Sequence, residues 1–201
     1  MQSLSEIDTT SKRASKAAGF SWGVAEEIGK AIRSLELFGL PGIKNLNLYL
    51  NKIKNKHPKK INKLEKENKD KELCPIYCGV AFLDQSKYLQ TLKNIKFYNV
   101  NYPMLILPFI SKTSEILGEK LLVKFNKSSF LINFNKSILI KNAENQIITL
   151  ANELSINFLE NENSFTNDEW KQLYKLSEET FVEESDSLKS KGAGAGLTDN
   201  D

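Results

Sequence analysis

Apolar positions recur at helical spacing through the first fifty residues and at strand spacing after residue 120, with a Lys-rich stretch and two continuous apolar runs between. Ser3 and Glu6 form a capping box that opens a helix running to about Ala18, and Gly19 stops it. Ser21 caps a second helix, with Glu26 and Glu27 expected in its first turn and Val24, Ile28, Ala31, Ile32, Leu35 and Phe38 on one face. Gly39, Pro41 and Gly42 end it, and Leu46, Leu50 and Ile53 mark a third helix from about Ile43. Gly23 and Gly29, inside the second helix, each cost about 1 kcal/mol relative to Ala, so a close neighbour, another helix or a ligand, is expected there.

The run Cys74 to Leu83 suits either a buried helix or a strand, and Ser86 to Leu92 reads as a short helix. Met104 to Ile110 reads as a strand, with Pro108 placing it at an edge or a strand end. Lys120 to Phe125 and Ser129 to Phe134 pair through a turn at Asn126, Lys127 and Ser128, and Ser137 to Lys141 follows. Gln146 to Leu150 and Ser155 to Leu159 are two further strands, and the short links imply an antiparallel sheet. Thr166 and Glu169 cap a last helix, expected to bury Trp170, Leu173 and Tyr174. The expected class is therefore α+β. An N-terminal helical hairpin packs with a mainly antiparallel sheet and one C-terminal helix in a single domain, 1–181, followed by an extended Gly-rich tail, 182–201.

Charge refines this picture. Lys52 to Glu72 holds nine Lys against Glu65, Glu67, Asp70 and Glu72, a local +5, whereas Glu160 to Asp201 sums to −7. The 54–72 segment reads as a solvated connector. It has neither Arg forks nor aromatic rings for stacking, so nucleic acid is not the expected partner. The apolar runs are too short for a membrane span, and the first ten residues lack a secretory layout, so a cytoplasmic location is expected.

Composition points to the chain's two ends. Lys outnumbers Arg 26 to 2, the mark of an AT-rich gene, yet both Arg and most Gly and Ala lie within 11–42 or 192–201. Arg13 and Arg33 are thus candidates to hold a small anionic metabolite, with Trp22 as an apolar wall and Glu26 or Glu27 as a polar or acid/base group. In the tail, Gly192, Gly194 and Gly196 would hinge Thr198, Asp199 and Asp201 over a pocket, where the carboxylates could also meet Mg²⁺ or Ca²⁺. Cys74, Cys78 and His57 are too few for a structural zinc site; the cysteines read as buried thiols, and no histidine remains for a hydrolase triad. No cofactor is indicated, and the residues name no reaction.

The stretch SKRASKAAGFSWGVAEEIGKAIRSLELFGLPGI and the terminal GAGAGLTDND resemble an uncharacterised bacterial family, a domain of unknown function. A more distant likeness joins Ala18-Gly19-Phe20-Ser21, Ala25-Glu26, Ala31, Gly39-Leu40, Gly42 and Tyr49-Leu50 to the first helices of the type-2 malate/lactate dehydrogenases. That family's catalytic histidine follows its second helix, where this chain has Leu40-Pro41-Gly42, so the likeness implies helix geometry and no shared chemistry. Two functions are expected as alternatives: a binder of a small anionic metabolite, as a small enzyme or accessory subunit, or a non-catalytic interaction protein. In the second, the hairpin's exposed face and the basic 52–72 segment would meet a protein partner or another copy.

Overall fold

The computed structural model describes residues 2–54, 56, 58–135, 137–142, 147–160 and 164–180. The chain divides into two units, Met1–Glu160 and Asn161–Asp201. The second unit contributes one described helix, and the rest of the architecture belongs to the first.

Three helices open the chain: α1 (Leu4–Ala17), α2 (Trp22–Leu37) and α3 (Gly42–Lys52). The Ser3 Oγ accepts from the Glu6 N–H at 3.2 Å while the Glu6 carboxylate accepts from the Ser3 N–H at 2.7 Å, the expected reciprocal box. The α2 end requires a glycine. Gly39 sits at φ +69°, its N–H donates to the Glu36 carbonyl, and the next N–H, of Leu40, reaches back to the Leu35 carbonyl at 2.8 Å. This is a Schellman close, and the side chains of Leu35 and Leu40 on either side of it are both buried in the core. The α3 N-terminus has no cap of its own at Pro41; instead the α2 carboxylate of Glu36 accepts from the Ile43 N–H at 2.8 Å. That bond fixes how α3 leaves α2.

Strand β1 (Glu67–Asn68) follows, then helices α4 (Pro75–Asp84) and α5 (Ser86–Leu92) and strand β2 (Asn94–Asn101). A short 3₁₀ helix, Pro103–Ile106, leads into α6 (Leu107–Leu117), and strands β3 (Lys120–Phe125), β4 (Ser128–Ile132), β5 (Ile138–Asn142) and β6 (Leu150–Leu159) complete the unit. The six strands run in the order β1-β2-β6-β3-β4-β5, antiparallel except for β1 with β2. The α+β class and its mainly antiparallel sheet are thus as expected.

One sheet face is apolar, with Ile95, Leu121, Val123, Phe130, Leu154 and Ile156 buried. Against it lies α6, which α2 and α4 contact in turn, while α1 packs on α2. No helix among the described residues is long and apolar enough to cross a membrane.

Several expectations change. Glu26 and Glu27 lie beyond the first turn of α2, because the helix already begins at Trp22 behind the Ser21 cap, and that turn holds no acidic residue. Met104–Ile110 is not a strand: it is the 3₁₀ turn and the start of α6, every residue buried, with Pro108 in the first helical turn, where its missing N–H has no intrahelical partner to lose. The open alternative at Cys74–Leu83 resolves to a helix, entered by Pro75 and capped by the Cys74 sulfur. The strands expected at 146–150 and 155–159 are one strand, β6, beginning at Leu150, and β2 is an element with no counterpart in the expectation. The connector is less solvated than expected. Leu64 is fully buried, β1 pairs with β2, and Glu67, Asp70 and Glu72 pair with Lys69, Lys59 and Lys52.

In the second unit, α7 (Asn167–Glu178) carries the expected Thr166–Glu169 box, but none of its residues is buried; Trp170, Leu173 and Tyr174 are exposed. The tail candidates Gly192, Gly194, Gly196, Thr198, Asp199 and Asp201 lie outside the described residues, as does His57.

Candidate docking groove and charged cleft

The five N-terminal candidates do not converge on one pocket. Arg13 is exposed, and Arg33 reaches the Asp8 carboxylate, 4.0 Å away, across the α1–α2 seam. Trp22 is 61% exposed, with the Lys16 ammonium 5.5 Å from its ring centroid, so it fastens the end of α1 to the start of α2 rather than walling a site. Glu26 pairs with Lys30 on its own helix at 3.1 Å.

Glu27 alone enters a concavity. Its carboxylate meets Lys30 at 3.2 Å and, across to α6, Lys112 at 2.8 Å, in a cleft of about 230 Å³ floored by Ala31 and Phe109. Burial pushes the Glu27 carboxyl up; the hydrogen bonds and charges of Lys112 and Lys30 outweigh it, and the group titrates below its ordinary range. The cleft holds a carboxylate between two ammonium groups.

A second concavity, between α1 and α3, encloses about 400 Å³. Ile7 and Ala14 wall it from α1, Ile43 and Leu46 from α3, and Glu6, Thr10 and Asn47 add polar contacts. Its shape follows from local chemistry. The face that α1 buries carries Ser11 and Ser15 rather than large apolar side chains, so α1 sits close to α2, and the Glu36 bond to the α3 N-terminus sets the opposite wall. Gly29 marks the α1–α2 approach: a Cβ there would stand 2.7 Å from the Asp8 carbonyl oxygen. Of the two readings for a glycine inside α2, a helix neighbour is thus what Gly29 meets; Gly23 has nothing within 4 Å.

The groove residues were not among the sequence candidates. Their only signal is the spacing Ile7, Ser11, Ala14, a weakly apolar stripe in an otherwise polar helix. Lys112 is likewise invisible as a partner of Glu27 until α6 is known to be a helix.

The cysteines are structural. The Tyr49 hydroxyl donates to the Cys74 sulfur at 2.8 Å in the core, joining α3 to the start of α4. Burial pushes the Cys74 thiol up to about 11 against the opposing pull of Tyr49 and the Tyr77 and Ile76 backbone, and it pushes Cys78 up as well. A thiol held protonated in this way is a poor nucleophile. Among the described residues no group of three or more His, Cys, Asp or Glu could hold a metal ion.

These features define an α+β protein whose N-terminal helical layer presents a mainly apolar-walled groove. Residues 2–75 match the model of a family described as a protein of unknown function (DUF3726), which supports the resemblance to an uncharacterised family read from the N-terminal helices. No curated protein and no solved structure matches the chain, and the likeness to the malate/lactate dehydrogenases gains no support.

Proposed function

We propose that the protein is a non-catalytic interaction module whose α1–α3 groove takes a short apolar segment of a partner protein. The groove carries this reading. At about 400 Å³ it falls within the 300–1,000 Å³ typical of occupied sites, and all of its lining belongs to the matched residues 2–75. Ile7 and Ala14 stand seven residues apart, about 10 Å along α1, room for two anchors one helical turn apart on an incoming amphipathic segment. Glu6 at the groove favours a basic residue beside those anchors.

A library of helical peptides with two apolar anchors, panned against the full chain, tests this. Binders are expected to lose at least tenfold affinity for Ala14→Phe, which fills the groove from an exposed position. The reading fails if no peptide binds below about 1 mM, or if binders ignore the substitution.

One observation favours a second reading, a small anionic metabolite: Lys30 and Lys112 converge in the α2–α6 cleft. A ligand carboxylate or phosphate would compete there with Glu27. Thermal stabilisation by such anions, lost in Lys112→Ala, would transfer the function to that cleft.

A further inference from the structure

The sheet ends in two unlike edges. On one side β1 is two residues long, a common way to blunt an edge. On the other, β5 offers five residues whose centre, Ile138-Leu139-Ile140, contains no charge and no proline. Leu139 is 51% and Ile140 48% exposed, on opposite faces of the strand. Leu139 ends a row on the face opposite the core, Leu122–Leu131–Leu139, and Ile140 ends a row on the core face, Val123–Phe130–Ile140. Both rows stop at the edge.

The hydrogen bonding shows which main-chain groups are left over. The Asn133 N–H donates to the Ser137 carbonyl at 3.3 Å, so Ser137 turns its peptide groups toward β4. By the alternation of an antiparallel ladder Leu139 does the same, and Ile138 and Ile140 turn theirs outward. The register irregularity lies at Ser129/Phe130, beyond this central stretch.

We infer that β5 pairs antiparallel with β5 of a second copy about a two-fold axis through Leu139, joining the two sheets edge to edge. The occupant follows from self-complementarity. A two-fold perpendicular to the sheet keeps both helical layers on one side and pairs only residues of like facing. Centred on Leu139, it sets Leu139 against its own counterpart and Ile138 against Ile140, so both apolar rows continue into the second copy. Position 141, a Lys, then faces Ser137, and no like charges meet. Centring one residue later would instead place Leu139 against Lys141 and Ile138 against Asn142. The outward groups of Ile138 and Ile140 supply about four N–H···O=C bonds in the chosen register. One short edge buries less than the roughly 1,200 Å² of a standard interface, so the dimer forms reversibly with concentration.

Sedimentation of the full chain over a concentration series, with Leu139→Lys beside the wild type, tests the inference. The wild type is expected to move from monomer to dimer and the variant to remain monomeric with an unchanged melting curve, since Leu139 is half exposed. A cross-linking arm fixes the register. The axis makes Leu139 a non-hydrogen-bonded pair with Cβ atoms about 4.5 Å apart, within reach of a disulfide, so Leu139→Cys should self-link under mild oxidation and Lys141→Cys should not. The native Cys74 and Cys78, both buried, give little background. A monomer at every concentration up to about 1 mM, a dimer that survives Leu139→Lys, or equal linking of the two cysteine variants would overturn it. Cover of β5 by another part of the same chain would show as the monomer without linking.

Discussion

Gly29→Ala sets two energies of opposite sign against each other. In a helix interior Ala is favoured over Gly by about 0.8–1.0 kcal/mol. At Gly29 the new Cβ would stand 2.5 Å from the Asp8 Oδ1, 2.7 Å from the Asp8 carbonyl oxygen and 3.2 Å from the Lys12 Cβ. The Asp8 side chain can swing aside, at the expense of its long contact with Arg33. The carbonyl oxygen belongs to the α1 backbone and moves only if α1 moves. Overpacking of this kind costs about 1–3 kcal/mol, so the net expectation is a loss of about 1 kcal/mol.

Gly23→Ala supplies the reference. It lies in the same helix, and its Cβ would meet nothing within 4 Å, so it should gain up to about 1 kcal/mol. The two variants should thus differ by about 2 kcal/mol, or roughly 4–8 °C in melting temperature for a chain of this size. Urea unfolding followed by far-ultraviolet circular dichroism measures the difference. Equal stabilisation by both substitutions would refute the close approach of α1 to α2. Because α1 is also a groove wall, Gly29→Ala should weaken the panned peptides while Gly23→Ala leaves them alone.

Ser15 is fully buried and its hydroxyl has no hydrogen-bond partner among the described residues, so Ser15→Ala should stabilise by about 1–2 kcal/mol, read as a higher urea midpoint at unchanged slope; a loss of stability would refute this. The buried thiols predict alkaline weakening. The unfolded chain loses the Cys74 proton near pH 9 while the folded chain keeps it to about 11, so stability should fall between those values by roughly 1.4 kcal/mol per pH unit, less steeply in Cys74→Ala. A flat profile over that window would count against burial of the thiol.

The elements legible in the sequence are those whose signals are local. The boxes at Ser3–Glu6 and Thr166–Glu169 and the glycine stop at Gly39 each involve residues within one turn, and all three form as expected. Met104–Ile110 misleads because a segment buried on every side has no period; nothing local separates a buried helix from a buried strand, and Pro108 suits the start of either. β2 does alternate, with Ile95 and Phe97 inward and Lys96 and Tyr98 outward, but Asn99 at φ +58° breaks the pattern before Val100. The site was less legible still. Scarcity of Arg in a Lys-rich chain carries no geometry, and the structure leaves Arg13 and Arg33 at the surface, while the groove depends on the angle of α3 and on serines lining a helix seam.

The matched residues 2–75 include more than a free-standing helical layer. Their β1 pairs with β2, Leu73 bridges to Val100, and the Lys52 ammonium reaches the Asn101 side chain at 2.6 Å. Tyr49 ties α3 to Cys74, the cap of α4, and α2 packs against α6. Ile28, Ile32 and Leu35, buried on α2, belong to the same apolar core as Phe82, Ile106 and Phe109. Removing the residues after 75 would therefore strip one side of α2 and leave β1 without β2, its strand partner. The groove between α1 and α3 takes its walls from the matched helices, while α2, on which α1 and α3 both pack, rests against α6. A partner segment docking there would meet a surface held in place by residues outside the matched span.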